Sequence, residues 1–187
     1  MTRNTPLTPL GISALGLLVE RPMHPYEMYQ VLMQRHEDRI VKVRPGTLYH
    51  AVGRLAADGL VEPLGTERDG NRPERTTYAI LPAGRDALKS RVEDLLSTPV
   101  NEYPCFPQAL DAANNLPAAA VIGLMEQRLD HLQAQVTALE TGVAQAAANG
   151  VEPRLLIDAD YQQTLLNAEI KWVGQLCSDI ASGALPW

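Results

Sequence analysis

Over the first hundred residues the apolar positions keep helical spacing, switch briefly to a period of two, and return to helical spacing. Residues 7–19 are almost unbroken in apolar character and predict a first helix over about 8–20, stopped by Pro22. A second opens at Pro25, a residue suited to a first helical position because no amide partner is needed there. Met28, Val31 and Leu32 mark its apolar face, with Tyr29 nearby, and charge takes over at Arg35. A third is expected over 45–58, with Gly59 ending it and Leu48, Val52 and Leu55 forming an inward stripe. Two strand-like runs follow, 60–66 and 75–81. In the second, Thr76, Tyr78 and Ile80 alternate with Thr77 and Ala79. The turn-rich segment between them carries Arg68 and Arg72, with Arg75 at its edge. A fourth helix is expected over 82–96, ending before Pro99.

Residues 99–107 hold three prolines and read as a linker, so two domains are expected, 1–98 and 99–187. After Pro117 a long helix is predicted to about residue 148, roughly 32 residues or about 48 Å. Within it Ile122, Met125, Leu129, Leu132, Val136, Leu139, Val143 and Ala146 recur in steps of three and four, the heptad pattern of a coiled coil. A last helix, over 153–181, has two apolar stripes. One is Tyr161, Leu165, Ala168, Trp172 and Leu176; the other is Leu166, Ile170, Val173, Cys177 and Ile180. A seam within one chain would explain one stripe. The second stripe favours a partner subunit, so Ile122, Met125, Leu129, Leu132, Val136, Leu139, Leu166, Ile170, Val173 and Ile180 are taken as dimerisation positions. The expected fold is mainly α with a small β-hairpin wing, followed by an antiparallel helical, coiled-coil-like dimerisation domain.

Charge sharpens the division. The net charge of −6 argues against a nucleic-acid partner until it is resolved along the chain. Residues 1–92 carry 13 basic and 10 acidic side chains, net +3; residues 93–187 carry 3 and 12, net −9. A polyanion would be drawn to the first part and repelled by the second. At 45% apolar and 20% charged residues the chain is globular rather than disordered. Its two cysteines, Cys105 and Cys177, build no disulfide framework and fit a reducing, cytoplasmic compartment. Residues 7–19 are too short to span a bilayer and lack a signal-peptide cleavage site, so no membrane partner is expected.

Three helices, a hairpin with an arginine-bearing tip and a further helix form the order of a winged helix-turn-helix. Its chemistry is docking, with the third helix in the major groove and the wing on the neighbouring backbone or minor groove. With Leu48, Val52 and Leu55 inward, Thr47, Tyr49, His50 and Arg54 face outward. Their hydroxyl, imidazole and guanidinium groups can donate to phosphate oxygens or base acceptors. Arg44 at the helix start and Arg68, Asn71, Arg72 and Arg75 in and beside the wing complete the candidate DNA-binding set. His24 is expected to bond locally at the start of the second helix. The sequence holds no Gly-rich phosphate loop, no nucleophile and base in a catalytic context, and no metal-ligand spacing. No enzyme, cofactor or metal site is therefore expected.

These residues also carry a family resemblance. His24-Pro25-Tyr26-Glu27-Met28 resembles the His-Gly-Tyr-Glu-Ile opening of the second helix in the PadR family of transcriptional regulators. Pro45-Gly46-Thr47-Leu48-Tyr49, then Arg54-Leu55 and Gly59-Leu60-Val61, resemble its recognition helix. Arg75-Thr76-Thr77-Tyr78 and Gly84 resemble its second wing strand and following helix. The resemblance covers about residues 7–96. Pro25 in place of the usual glycine, His50 in place of a common proline, and Leu81 in place of a common threonine depart from the pattern. They leave the fold untouched, and His50 bears on base preference. The resemblance implies a homodimeric repressor of a near-palindromic operator in double-stranded DNA, released in some relatives by a small aromatic or drug-like effector near the dimer interface, between the two domains. Tyr103, Phe106 and Trp172, with Cys105, are the side chains offered for such an effector; no family effector motif matches them. The alternative is a winged-helix module for ligand sensing or protein interaction that has no DNA function.

Overall fold

The computed structural model describes residues 6–67 and 75–187. The chain divides into two compact units, 1–101 and 102–187.

The N-terminal unit is built from α1 (Pro9–Glu20), α2 (Pro25–Gln34), α3 (Pro45–Ala57), strands β1 (Val61–Glu67) and β2 (Arg75–Ile80), and α4 (Pro82–Ser97). Local chemistry sets the helix starts. Thr8 caps α1 by accepting the Gly11 amide at 3.2 Å, and α1 to α4 each place a proline where the first-turn amide has no intrahelical partner. One core joins the helices: Leu15 and Leu18 of α1, Met28 and Leu32 of α2, and Leu48, Val52 and Leu55 of α3 are all buried, with Val61 of β1 among them. Burying each such side chain contributes about 1.5–3 kcal/mol.

β1 and β2 pair antiparallel from Val61–Ile80 outward, with a register shift between Pro63 and Gly65. Proline cannot donate to the ladder, which explains an irregularity at that point. Met23, between α1 and α2, exchanges two backbone hydrogen bonds with Tyr78 (3.1 and 3.0 Å) and so extends the hairpin by one bridge. Two glycines are required by geometry. Gly59 ends α3 at φ +69°, in the left-handed region. Gly84, in the first turn of α4, lies so close to the residue before β1 that a Cβ there would sit 2.2 Å from the Leu60 carbonyl oxygen.

The C-terminal unit consists of α5 (Cys105–Asp111), α6 (Ala118–Ala148) and α7 (Ile157–Ser182). α6 and α7 form an antiparallel hairpin. Arg128 pairs with Glu169, Gln163 donates to Glu140 at 2.8 Å, and the Trp187 indole N–H reaches the Leu116 carbonyl at 2.8 Å. Two expectations are corrected here. The linker over 99–107 gives way to helix at Cys105, where Pro107 is tolerated because first-turn amides need no intrahelical acceptor. The last helix begins at Ile157 rather than 153, since Pro153–Leu155 forms a separate 3₁₀ turn.

The candidate nucleic-acid interface

α3 is amphipathic in the sense a recognition helix requires. Leu48, Ala51, Val52 and Leu55 are buried, whereas Thr47, Tyr49, His50 and Arg54 are exposed, as is Arg44 at the helix start. Among the described residues, the side chains of Arg44, His50 and Arg54 are engaged by no intrachain ion pair or side-chain hydrogen bond. Their cationic and donor groups are therefore available to a ligand in solvent. Thr47 differs. Its hydroxyl donates to the Arg44 carbonyl at 2.8 Å and accepts the Arg44 amide at 3.3 Å, so its one proton is spent at the helix start.

Tyr49 is about half exposed, and its ring meets that of His24 edge to face, centroids 5.7 Å apart and planes at 76°. His24 itself caps α2, its Nδ1 accepting the Tyr26 amide at 3.0 Å, which is the local bond expected of it. Two exposed residues absent from the sequence-based set belong to the same region. Tyr26 stands in the first turn of α2, and Lys42 leads into α3 two positions before Arg44. Their signal was present in the quoted motif and in the Lys42–Arg44 spacing. In the wing, Arg68, Asn71 and Arg72 lie outside the described residues. Arg75 opens β2 opposite Glu67.

The angle between α1 and α2 is fixed outside the core as well. Arg35 donates two hydrogen bonds to Glu20, at 2.6 and 2.8 Å, a bidentate pair between the ends of the two helices. The Arg35 hydrogen bond holds the Glu20 carboxyl below its usual range, and Glu20 in turn raises Arg35. Arg21 and Glu27 make a second pair across the same turn at 2.6 Å.

In the C-terminal unit the positions taken for dimerisation separate. Leu132, Leu139, Val173 and Ile180 are buried within the single chain, between α6 and α7. Ile122, Met125, Leu129, Val136, Leu166 and Ile170 are half-buried. The stripe left bare is the other one: Tyr161 at 63% exposure, Leu165 at 51% and Trp172 at 48%, with Leu124 of α6 at 50%. The four buried positions are thus occupied by the intrachain seam, and the exposed apolar side chains of this unit include Leu124, Tyr161, Leu165 and Trp172.

Of the three aromatic side chains offered for an effector, two meet. Phe106 of α5 contacts Trp172 edge to face at 6.4 Å, and the Arg128 guanidinium lies 3.4 Å from the Phe106 ring centre while pairing with Glu169. Tyr103 is exposed. None of the three lines the cavity of about 330 Å³ at the α6–α7 turn, which is formed by Val143, Pro153, Leu156, Ile157, Asp160 and Gln163. Among the described residues, no group of three or more His, Cys, Asp or Glu is placed to hold a metal ion. Among the described residues, no helix is long and apolar enough to cross a membrane.

A three-helix core, a two-stranded wing and an exposed, cation-bearing third helix define a winged helix-turn-helix, here followed by a helical hairpin. Residues 14–90 match the model of the transcriptional regulator PadR-like family. Members of the family are transcription regulators, not enzymes. Bacillus subtilis PadR in complex with operator DNA superposes with a TM-score of 0.77 at 15% identity, covering 92% of this chain and 99% of that one. Streptococcus mutans smu.1604c gives 0.68 at 19% identity, covering 91% and 99%. The PadR-like transcriptional regulator BC1756 of Bacillus cereus gives 0.66 at 15%, covering 96% and 99%. A further structure of B. subtilis PadR holds p-coumaric acid; it gives 0.72 at 12%, covering 93% and 98%. A search of curated proteins finds no relative similar in sequence.

Proposed function

We propose that the protein is a cytoplasmic, homodimeric repressor that lays α3 in the major groove of a near-palindromic operator and is released by a small aromatic effector. One observation carries the DNA reading: α3 turns Leu48, Val52 and Leu55 into the core while Arg44, Tyr49, His50 and Arg54 stand in solvent, the three polar ones without intrachain side-chain partners. That is the division of labour a recognition helix needs, one face fixed by packing and the other free to meet base edges and phosphates. Arg68, Asn71, Arg72 and Arg75 are proposed for the wing contact. The bare stripe of Leu124, Tyr161, Leu165 and Trp172 is proposed as part of the dimer surface, since an apolar face of this size in water favours cover by a second copy. The operator complex and the p-coumaric acid complex of B. subtilis PadR support the same reading by likeness of fold.

The test is selection of bound fragments from genomic DNA, followed by footprinting and titration at two salt concentrations. Two protected half-sites about one helical turn (roughly 34–36 Å) apart, with affinity falling as salt rises, are expected. Adding p-coumaric acid or a related aromatic acid should then lower affinity. A protein that enriches no fragment over random duplex would instead favour a ligand-sensing or protein-interaction module.

A further inference from the structure

We infer that His24 is a positioning residue for DNA recognition: it holds the Tyr49 side chain in the orientation α3 presents to DNA. The inference rests on the DNA-binding reading above and deepens it. His24 is itself fixed from two directions. Pro25 restricts the backbone before it, which is extended at φ −81° and ψ 145°, and Nδ1 accepts the Tyr26 amide at 3.0 Å. That bond aims Nδ1 at the Tyr26 amide and so sets the plane of the ring. The ring so held lies edge to face against Tyr49, at 5.7 Å and 76°, a favoured arrangement for an aromatic pair.

Tyr49 needs such support. About half of it is exposed, and its hydroxyl is useful to DNA only where a phosphate or base acceptor lies. An unsupported side chain gives up rotamer freedom when DNA fixes it, which weakens binding. The His24 ring removes part of that freedom in advance, so the start of α2 preorganises a side chain on α3.

The experiment separates ring from cap, using the tightest-bound genomic fragment as probe. His24→Asn keeps a cap acceptor, because asparagine serves that position well, and removes the ring. It should lower affinity about 2- to 12-fold, the range an aromatic pair carries, at an unchanged melting temperature. His24→Phe keeps a ring and removes the acceptor; it should melt earlier and bind close to the wild-type level. In a Tyr49→Ala background, already weakened, His24→Asn should cost nothing further. The inference is overturned if the two losses simply add, if His24→Phe binds as poorly as His24→Asn, or if Tyr49→Ala weakens binding while His24→Asn does not. Unchanged affinity in Tyr49→Ala removes Tyr49 from the interface and the inference with it. A wild-type protein that selects no fragment overturns the DNA reading as a whole, an outcome distinct from the other four.

Discussion

The two units handle apolar surface in opposite ways. The N-terminal unit closes its own core: residues from three helices and β1 converge, and Leu15, Leu18, Met28, Leu32, Leu48 and Val52 are at most 2% exposed. What it shows to solvent on α3 is cationic or polar. The C-terminal unit closes only one seam. Leu132, Leu139, Val173 and Ile180 are buried there, while Leu124, Tyr161, Leu165 and Trp172 are left about half exposed or more. A single helical hairpin has one inside, and α7 carries apolar residues on two sides. The difference lies in the interior. The first unit finishes a core drawn from three helices and a strand, although Leu64 and Leu96 stay 58% and 82% exposed. The second closes one seam and leaves an apolar stripe bare, which fits the proposed dimer.

The largest effect should come from breaking the finished half. Gly84→Ala places a Cβ 2.2 Å from the Leu60 carbonyl oxygen and 2.9 Å from Ile80 Cγ1. Backbone must move to admit it, at a cost of about 3 kcal/mol. Hydrogen exchange is expected to rise in peptides from residues 9–97 and to stay unchanged in residues 118–182; equal rises in both would contradict the division into separately built units. Next comes the unfinished half. Leu165→Glu should leave helix content intact and weaken the proposed dimer by about 2 kcal/mol, roughly 30-fold in sedimentation equilibrium. Val173→Ala, on the seam, should do the reverse, destabilising the hairpin itself by about 2 kcal/mol. If Leu165→Glu leaves the oligomer unaltered, the bare stripe is not its interface.

A smaller, purely functional change sharpens the other side of the contrast. Arg54 is exposed and makes no intrachain ion pair among the described residues. Arg54→Ala should therefore leave melting and oligomeric state alone. It should reduce affinity for the selected fragment by about 1–3 kcal/mol if the guanidinium reads a base. A uniform loss across sequences with a shallower salt slope would assign it to phosphate instead, and unchanged affinity would remove it from the interface.

How far the sequence discloses all this follows from which interactions are local. The inward stripe of α3 was legible because three leucine and valine positions at helical spacing can share only one face. Gly59 and Gly84 were legible as a helix end and a motif position, although the clash that makes Gly84 necessary is with the carbonyl of Leu60, 24 residues earlier. The Met23–Tyr78 bridge and the short helix α5 were not legible. The first is a backbone pairing across 55 residues, and α5 is held by Phe106 packing on Arg128 and Trp172, contacts no local window contains. On α7 periodicity returned two equivalent stripes. Which one turns inward is decided by the face α6 offers, and that is tertiary information. On α3 the pattern gave the outward set correctly but not that Thr47 would spend its proton on the Arg44 carbonyl.

The smallest predicted effect tests whether surface charge contributes to the finished half at all. Glu20 and Arg35 form a bidentate pair, yet each side chain is 46% exposed, so solvent screens most of the attraction. Glu20→Gln should destabilise the N-terminal unit by only about 0.5 kcal/mol at neutral pH. Its pH dependence has a definite sign. The folded carboxyl titrates below its usual value because Arg35 stabilises its charged form. Its contribution is therefore fully present above the unfolded value and disappears as pH falls through the lowered folded one. The wild type and Glu20→Gln should differ in urea midpoint at pH 7, converge as the medium is acidified past the carboxylate range, and converge also in high salt. A difference that persists in acid would mean that packing by the Glu20 stem, rather than its charge, joins α1 to α2.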